Sequence, residues 1–209
     1  MNKSFYLLLM LCLISCKNTS DPNILSQAFS HDEFTPTAKS DTLFVDLVAS
    51  EVLWKGTKMR GAGQHQGRIL LKDGFFLSDG KHITGGKFIV AMHTIEVTDI
   101  PKHEPVPKKR LEDHLKGPDF FNSPKYPIAI FEITNVLSTA NGMLNIEGDL
   151  TIKDVTRSIQ FTAILHEGTF SGIFSINRFD YNIGYTGSWL EKTLVDKQVE
   201  ITIKMIIRS

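Results

Sequence analysis

Leu144-Asn145-Ile146-Glu147-Gly148-Asp149-Leu150-Thr151-Ile152 alternates with a period of two: Leu144, Ile146, Gly148, Leu150 and Ile152 fall on one side and Asn145, Glu147, Asp149 and Thr151 on the other. Successive side chains of a β-strand point to opposite faces, so this stretch reads as a strand with one apolar and one wet face. Ile159, Phe161, Ala163 and Leu165 repeat the pattern against Ser158, Gln160 and Thr162. Val199, Ile201, Ile203, Met205 and Ile207 repeat it against Glu200, Thr202 and Lys204. The same parity gathers Val52 with Trp54, Ile69 with Leu71, Phe88 with Val90 and Met92, Phe131 with Ile133, and Phe170 with Phe174 and Ile176 into one inward set.

Asp73-Gly74, Asp79-Gly80 and Asn141-Gly142 tolerate positive φ and are read as hairpin turns. About eight antiparallel strands with one apolar face each must hide those faces in a two-sheet sandwich or a closed barrel. Eight strands close around a space that side chains just fill or that holds one small ligand. Inward Gly148, Ala163 and Gly172 lie among phenylalanines, which makes the lining uneven. That pattern leaves both readings open: a barrel with a ligand cavity, or a structural or interaction scaffold with a filled core. In the first reading, strand parity nominates Trp54, Phe88, Val90, Met92, Phe131, Ile146, Phe161 and Phe174 as ligand-lining residues.

Residues 103 to 128 break the alternation. Pro105 and Pro107 end the preceding strand, the spacing predicts a short helix from near Pro107, and Gly117-Pro118 stops it. Leu111 and Leu115 share one face, which leaves Lys108, Lys109, Glu112 and Lys116 largely to solvent. A helix this short is marginal alone, so packing on the barrel must hold it. Phe120-Phe121 and Tyr126-Pro127 follow as a lid-like loop, and the two rings either seal the barrel end or line a ligand entrance.

Composition narrows the partners. With 23 basic and 23 acidic residues the chain has no field to concentrate phosphate backbones, which argues against nucleic acid. Glu112-Asp113-His114 and His103-Glu104 suggest a metal site, but adjacent helical residues diverge by about 100°, and the mature domain offers no cysteine. No Gly-x-Ser-x-Gly elbow is present, and Gly61-Ala62-Gly63 lacks the βαβ context of a phosphate loop. No metal, cofactor or catalytic residue is therefore expected.

Lys3, the apolar run Phe5 to Ile14 and the ending Leu13-Ile14-Ser15-Cys16 follow the order of an export signal, and the run is too short to span a bilayer. It resembles a bacterial lipoprotein signal over 1–15, after which Cys16 becomes the lipidated N-terminus; the alternative is an ordinary signal that leaves Cys16 a bystander. Cys12 lies inside the leader, so Cys16 is the single cysteine of the mature chain. Residues 16–40 read as a polar tether and 41–209 as one domain that buries roughly 70% of its unfolded surface. Lys17 in place of an aspartate favours the outer membrane over the inner, on the periplasmic face of the cell envelope.

Taken together, the domain resembles the YceI-like proteins, exported lipocalin-like barrels that bind polyisoprenoid lipids. The likeness is carried by Arg110-Leu111-Glu112-Asp113-His114-Leu115, then Pro118-Asp119-Phe120-Phe121 and Tyr126-Pro127. Gly148-Asp149-Leu150-Thr151-Ile152 with Val155-Thr156, and Asn177-Arg178-Phe179-Asp180 with Ile183-Gly184, are similar to further family segments. The front departs from the commoner pattern, with Trp54-Lys55-Gly56-Thr57-Lys58 and the glycine-rich Gly61 to Gly67. The resemblance implies an all-β, antiparallel, eight-stranded lipocalin-like barrel with a tunnel entered near the helix. It adds Arg110, His114, Phe120 and Phe121 as candidate ligand residues. The partners it implies are a long-chain lipid of polyisoprenoid or isoprenoid quinone type and a membrane reached through the N-terminal anchor, with a homodimer left open.

Overall fold

The computed structural model describes residues 40–138, 142–184 and 195–208. The expected leader, the lipidation site Cys16, the tether and Asn141 lie outside the described residues. Eleven strands are found among those described: β1 Asp41–Phe44, β2 Glu51–Lys58, β3 Gly63–Ile69, β4 Leu71–Ser78, β5 Ile83–Ala91, β6 Glu96–Val97, β7 Ile128–Ser138, β8 Met143–Ile152, β9 Val155–His166, β10 Thr169–Asn177 and β11 Val195–Ile206. One α-helix, α1, spans Pro105–Lys116.

Eleven strands and the expected eight describe the same barrel. β1 and β2 are halves of one stave, bent where the Asp46 carboxylate accepts the N–H groups of Val48 and Ala49 at 2.9 and 3.0 Å. Only Leu70 separates β3 from β4. A single 3-10 turn, Met92–Thr94, lies between β5 and β6, with the Thr94 hydroxyl accepting the Leu70 N–H at 2.9 Å. The first stave pairs with the second through β1–β4 and β2–β3, and the second with the third through β4–β5 and β3–β6. The ladder runs on through β5–β7–β8–β9–β10–β11, all antiparallel. β11 returns to the first stave through β2 and the Val45–Ile207 bridge, which closes the ring.

Two turn expectations separate here. Asp79-Gly80 turns β4 into β5, with Gly80 at φ 90° and the Asp79 carboxylate accepting the N–H groups of Lys81 and His82. Asp73-Gly74 does not turn: it lies inside β4 at a register shift between Leu71 and Asp73, a bulge. Gly74 serves packing there, because a Cβ would stand 2.9 Å from both Phe88 Cδ1 and Val45 Cγ2.

The helix begins at Pro105, two residues ahead of the expected Pro107. Lys108 and Glu112, read as solvent-facing, instead fasten it. Lys108 Nζ lies 3.1 Å from Glu96 Oε1, and Glu112 Oε1 accepts the Val97 N–H at 3.0 Å. Glu96 is held from its other oxygen by Arg68 Nε at 2.7 Å, which keeps its carboxyl below the ordinary range, with Lys108 adding to the effect. β6 is a two-residue strand that pairs only with β3, and its Val97 N–H reaches the Glu112 side chain of the helix instead.

Buried side chains form two clusters. One collects Val45, Val52, Leu71, Phe76, Ile83, Phe88, Ile133, Leu144, Ile146, Phe161, Ala163, Phe170 and Met205. The other collects Ile69, Met92, Ile95, Val97, Leu115, Phe120, Ala129, Ile152, Ile176, Tyr181 and Ile183 beneath α1. In the first, glycines make room for rings: a Cβ on Gly148 would stand 2.6 Å from Cε2 and Cζ of Phe131.

Candidate functional site

Between the two clusters lies a cavity of about 330 Å³, within the range of small-molecule pockets. Its walls come from nearly every stave. β2 contributes Val52, Trp54 and Gly56, β5 contributes Phe88 and Val90, β7 contributes Ala129, Phe131 and Ile133, and β11 contributes Val199, Ile201, Ile203 and Met205. Every second residue of β2 and β11 faces in, as the alternation requires. α1 and its loop add Leu111, His114, Leu115, Phe120 and Phe121. Apart from His114 on α1, the polar lining residues, Thr57, Lys58, Gln64, His65 and Arg178, gather at the β2–β3 end.

Nine of the twelve nominated ligand residues line this space: Trp54, Phe88, Val90, Met92, His114, Phe120, Phe121, Phe131 and Phe174. Three do not. Ile146 and Phe161 belong to the filled cluster, where Phe161 stacks on Phe174 with ring centroids 4.6 Å apart and so stands behind the wall. Arg110 is exposed on α1, because the helical repeat that turns Leu111 and His114 inward turns its neighbour out. Phe120 and Phe121 meet edge to face at 5.0 Å, and Phe120 lies 5.7 Å from the His114 ring, so the helix end and the loop form one aromatic wall.

Parity did not locate the polar rim. His65 is held by Asp99 at 3.0 Å, and Asp196 accepts the Thr57 hydroxyl at 2.5 Å and the N–H groups of Arg60 and Gly61 at 3.1 Å each. Those bonds, the Thr57 hydroxyl first, hold the Asp196 carboxyl below its ordinary range. The signal was the run of polar residues at the end of β2 and the start of β3, which reads as solvated strand ends in a sequence. Arg178 is 0% exposed and lines the same end. Its guanidinium donates to the carbonyls of Ile183, Val195 and Asp196 at 2.9, 3.0 and 3.1 Å, and its carbon lies 4.2 Å from the Phe179 ring centre. It acts as a clasp between the end of β10 and the start of β11.

An antiparallel closed barrel with an apolar interior cavity beside a short helix is a lipocalin-like architecture. The YceI-like domain family matches residues 44–207, and the chain belongs to that family. A UPF0312 protein of Shewanella denitrificans is 35% identical over 97 residues, 46% of this chain and 47% of the relative. Protein YceI of Escherichia coli is 36% identical over 93 residues, 44% of each chain. The matched region thus spans about half the length of these curated relatives. Among solved structures, BcnA of Burkholderia cenocepacia has a TM-score of 0.60 at 22% identity, covering 79% of this chain and 99% of its own. A polyisoprenoid binding domain from Saccharophagus degradans, implicated in plant cell wall breakdown, has a TM-score of 0.56 at 14% identity, covering 80% and 98%. At these identities the two structures establish the shared fold.

Proposed function

We propose that this protein binds the apolar tail of a polyisoprenoid or isoprenoid quinone type lipid in its internal cavity, and carries or sequesters that lipid at the bacterial cell envelope without chemical conversion. The observation that carries the reading is the cavity itself, walled by aliphatic and aromatic side chains and edged with polar groups at one end. Membership of the YceI-like family and the polyisoprenoid binding domain among the fold neighbours support it. Localisation at the periplasmic face, on the outer membrane, and anchoring through Cys16 belong to the same proposal and rest on the leader sequence.

Energetics suit a carrier. A buried methylene contributes about 0.8 kcal/mol against water, so a long tail gains far more than the practical affinity ceiling of about 20 kcal/mol. A bilayer solvates the same tail, so exchange between membrane and cavity is close to balanced, and modest contacts decide occupancy. The test is native mass spectrometry of the full chain, gently purified from bacterial envelopes. A discrete bound lipid mass is expected, and bare protein both as purified and after incubation with prenol-containing vesicles overturns the reading. Cys16→Ser is expected to move the protein from the membrane fraction to the soluble fraction.

A further inference from the structure

The cavity is blocked at one end and polar at the other. Phe88, Phe170 and Met205 are its lining on the blocked side. Phe76 stands behind them, 0% exposed, with ring centroids 4.9 Å from Phe88 and 4.8 Å from Phe170. Phe170 itself is 1% exposed. Beyond this triad the filled cluster continues, and none of Ile83, Leu144, Ile146 and Ala163 reaches the cavity. Close-packed rings leave no space for a further methylene without moving a side chain. At the other end stand Thr57, Lys58, Gln64 and His65. Along β2, Val52 and Lys58 are six residues apart, about 20 Å at about 3.3 Å per residue.

We propose that the Phe76–Phe88–Phe170 floor is a ruler that sets the length of the tail this protein accepts. The inference rests on the lipid-binding reading and specifies its ligand: an isoprenoid with a tail of about 20 Å, head group at the polar rim. A tail that fits exchanges evenly with the bilayer, because both surround it with hydrocarbon. A longer tail strikes the floor, and its surplus is forced past the rim toward water while the bilayer buries it whole. Each exposed methylene then counts against the complex, so occupancy peaks at the matched length.

The experiment presents the full chain with vesicles holding equal amounts of farnesol, geranylgeraniol and undecaprenol, and reads the bound masses by native mass spectrometry. Undecaprenol is expected to be under-represented by about tenfold or more against the best-bound shorter prenol. Phe170→Leu, which lowers the floor, shifts the distribution severalfold toward longer tails. Val52→Phe, which fills the space above it, shifts it severalfold toward farnesol. Cooperative thermal unfolding of each variant establishes that it is folded. Undecaprenol bound as well as the short prenols, or one distribution in all three proteins, overturns the ruler and leaves lipid binding standing. No lipid on any of the three overturns the binding reading and the ruler with it.

Discussion

Trp54 occupies the space that a side chain on Gly67 would need. The two are directly paired across β2 and β3, and a Cβ on Gly67 would stand 2.7 Å from Trp54 Cζ2 while colliding with the Glu96 carbonyl oxygen. One position thus lets β6 approach β3 and seats the indole in the cavity wall. Gly67→Ala is expected to cost about 3 kcal/mol, the upper range for overpacking. Gly56→Ala on the neighbouring strand β2 meets open space and stays within about 0.5 kcal/mol. Denaturant unfolding of the two variants reads the contrast, and equal costs would reject the packing role of Gly67.

The clasp at Arg178 makes a sharper demand on chemistry than on charge. Three carbonyls converge on one planar guanidinium, and a lysine ammonium cannot reproduce that fork. Arg178→Lys is expected to lower stability by about 3 kcal/mol, since carbonyls lose charged donors at a buried position. Hydrogen exchange should rise first at the amides next to Ile183 and Val195. A variant as stable as the parent would remove the clasp from the account.

These two residues also mark how far a single chain can be read. The ring and its inward faces were legible because period two runs through most of the long staves from β7 to β11, interrupted by register shifts between Ile133 and Asn135 in β7 and between Val195 and Val199 in β11. Broken staves were not: the bend at Asp46, the single residue Leu70 and the turn at Met92 depend on tertiary pairing, and Asp73-Gly74 carries the composition of a turn while packing as a bulge. Parity also separates inside from outside without separating wall from filling. Phe161 and Phe174 are both inward, yet only Phe174 faces the cavity, and Ala163, at 1% exposure, is lodged in the filled half rather than in open space. Arg178 stood in a recognisable motif with Ile183, but the carbonyls of Val195 and Asp196 that it also holds lie 17 and 18 residues on, and local spacing gave no sign of them.

Acid should loosen the helix from the barrel. Glu96 receives Arg68 and Lys108, and these bonds lower its pKa from the ordinary 4.5. A carboxyl lowered in the fold stabilises it above that ordinary value, and the contribution disappears as pH falls through the lower folded value. The pairs are partly exposed, so the effect is modest, about 1 kcal/mol or less, and salt weakens it. Protection of the α1 amides, with exchange rates corrected for the intrinsic slowing of exchange in acid, is expected to fall as pH drops below about 4.5. Glu96→Gln should show faster exchange at neutral pH and a flatter acid response, and a parent-like acid response in that variant would place the sensitivity elsewhere.

Tyr181 supplies the opposite limb. It is 2% exposed in the cluster beneath α1, its hydroxyl has no hydrogen-bond partner among the described residues, and burial, with Asp180 adding repulsion, pushes its pKa up to about 12. A phenol raised in the fold favours the neutral form there, whereas an unfolded tyrosine sheds its proton from about pH 10. Stability is therefore intact below about 10 and falls as pH climbs from there toward 12. Tyr181→Phe removes both the buried hydroxyl and the titration. It is expected to be neutral or to stabilise by about 1 kcal/mol at pH 7, because a buried polar group without a partner costs free energy. It should also lose less stability than the parent in alkali. Thermal unfolding across pH measures both; a variant less stable at neutral pH would mean that the hydroxyl is satisfied in solution, and the alkaline difference should then shrink with it.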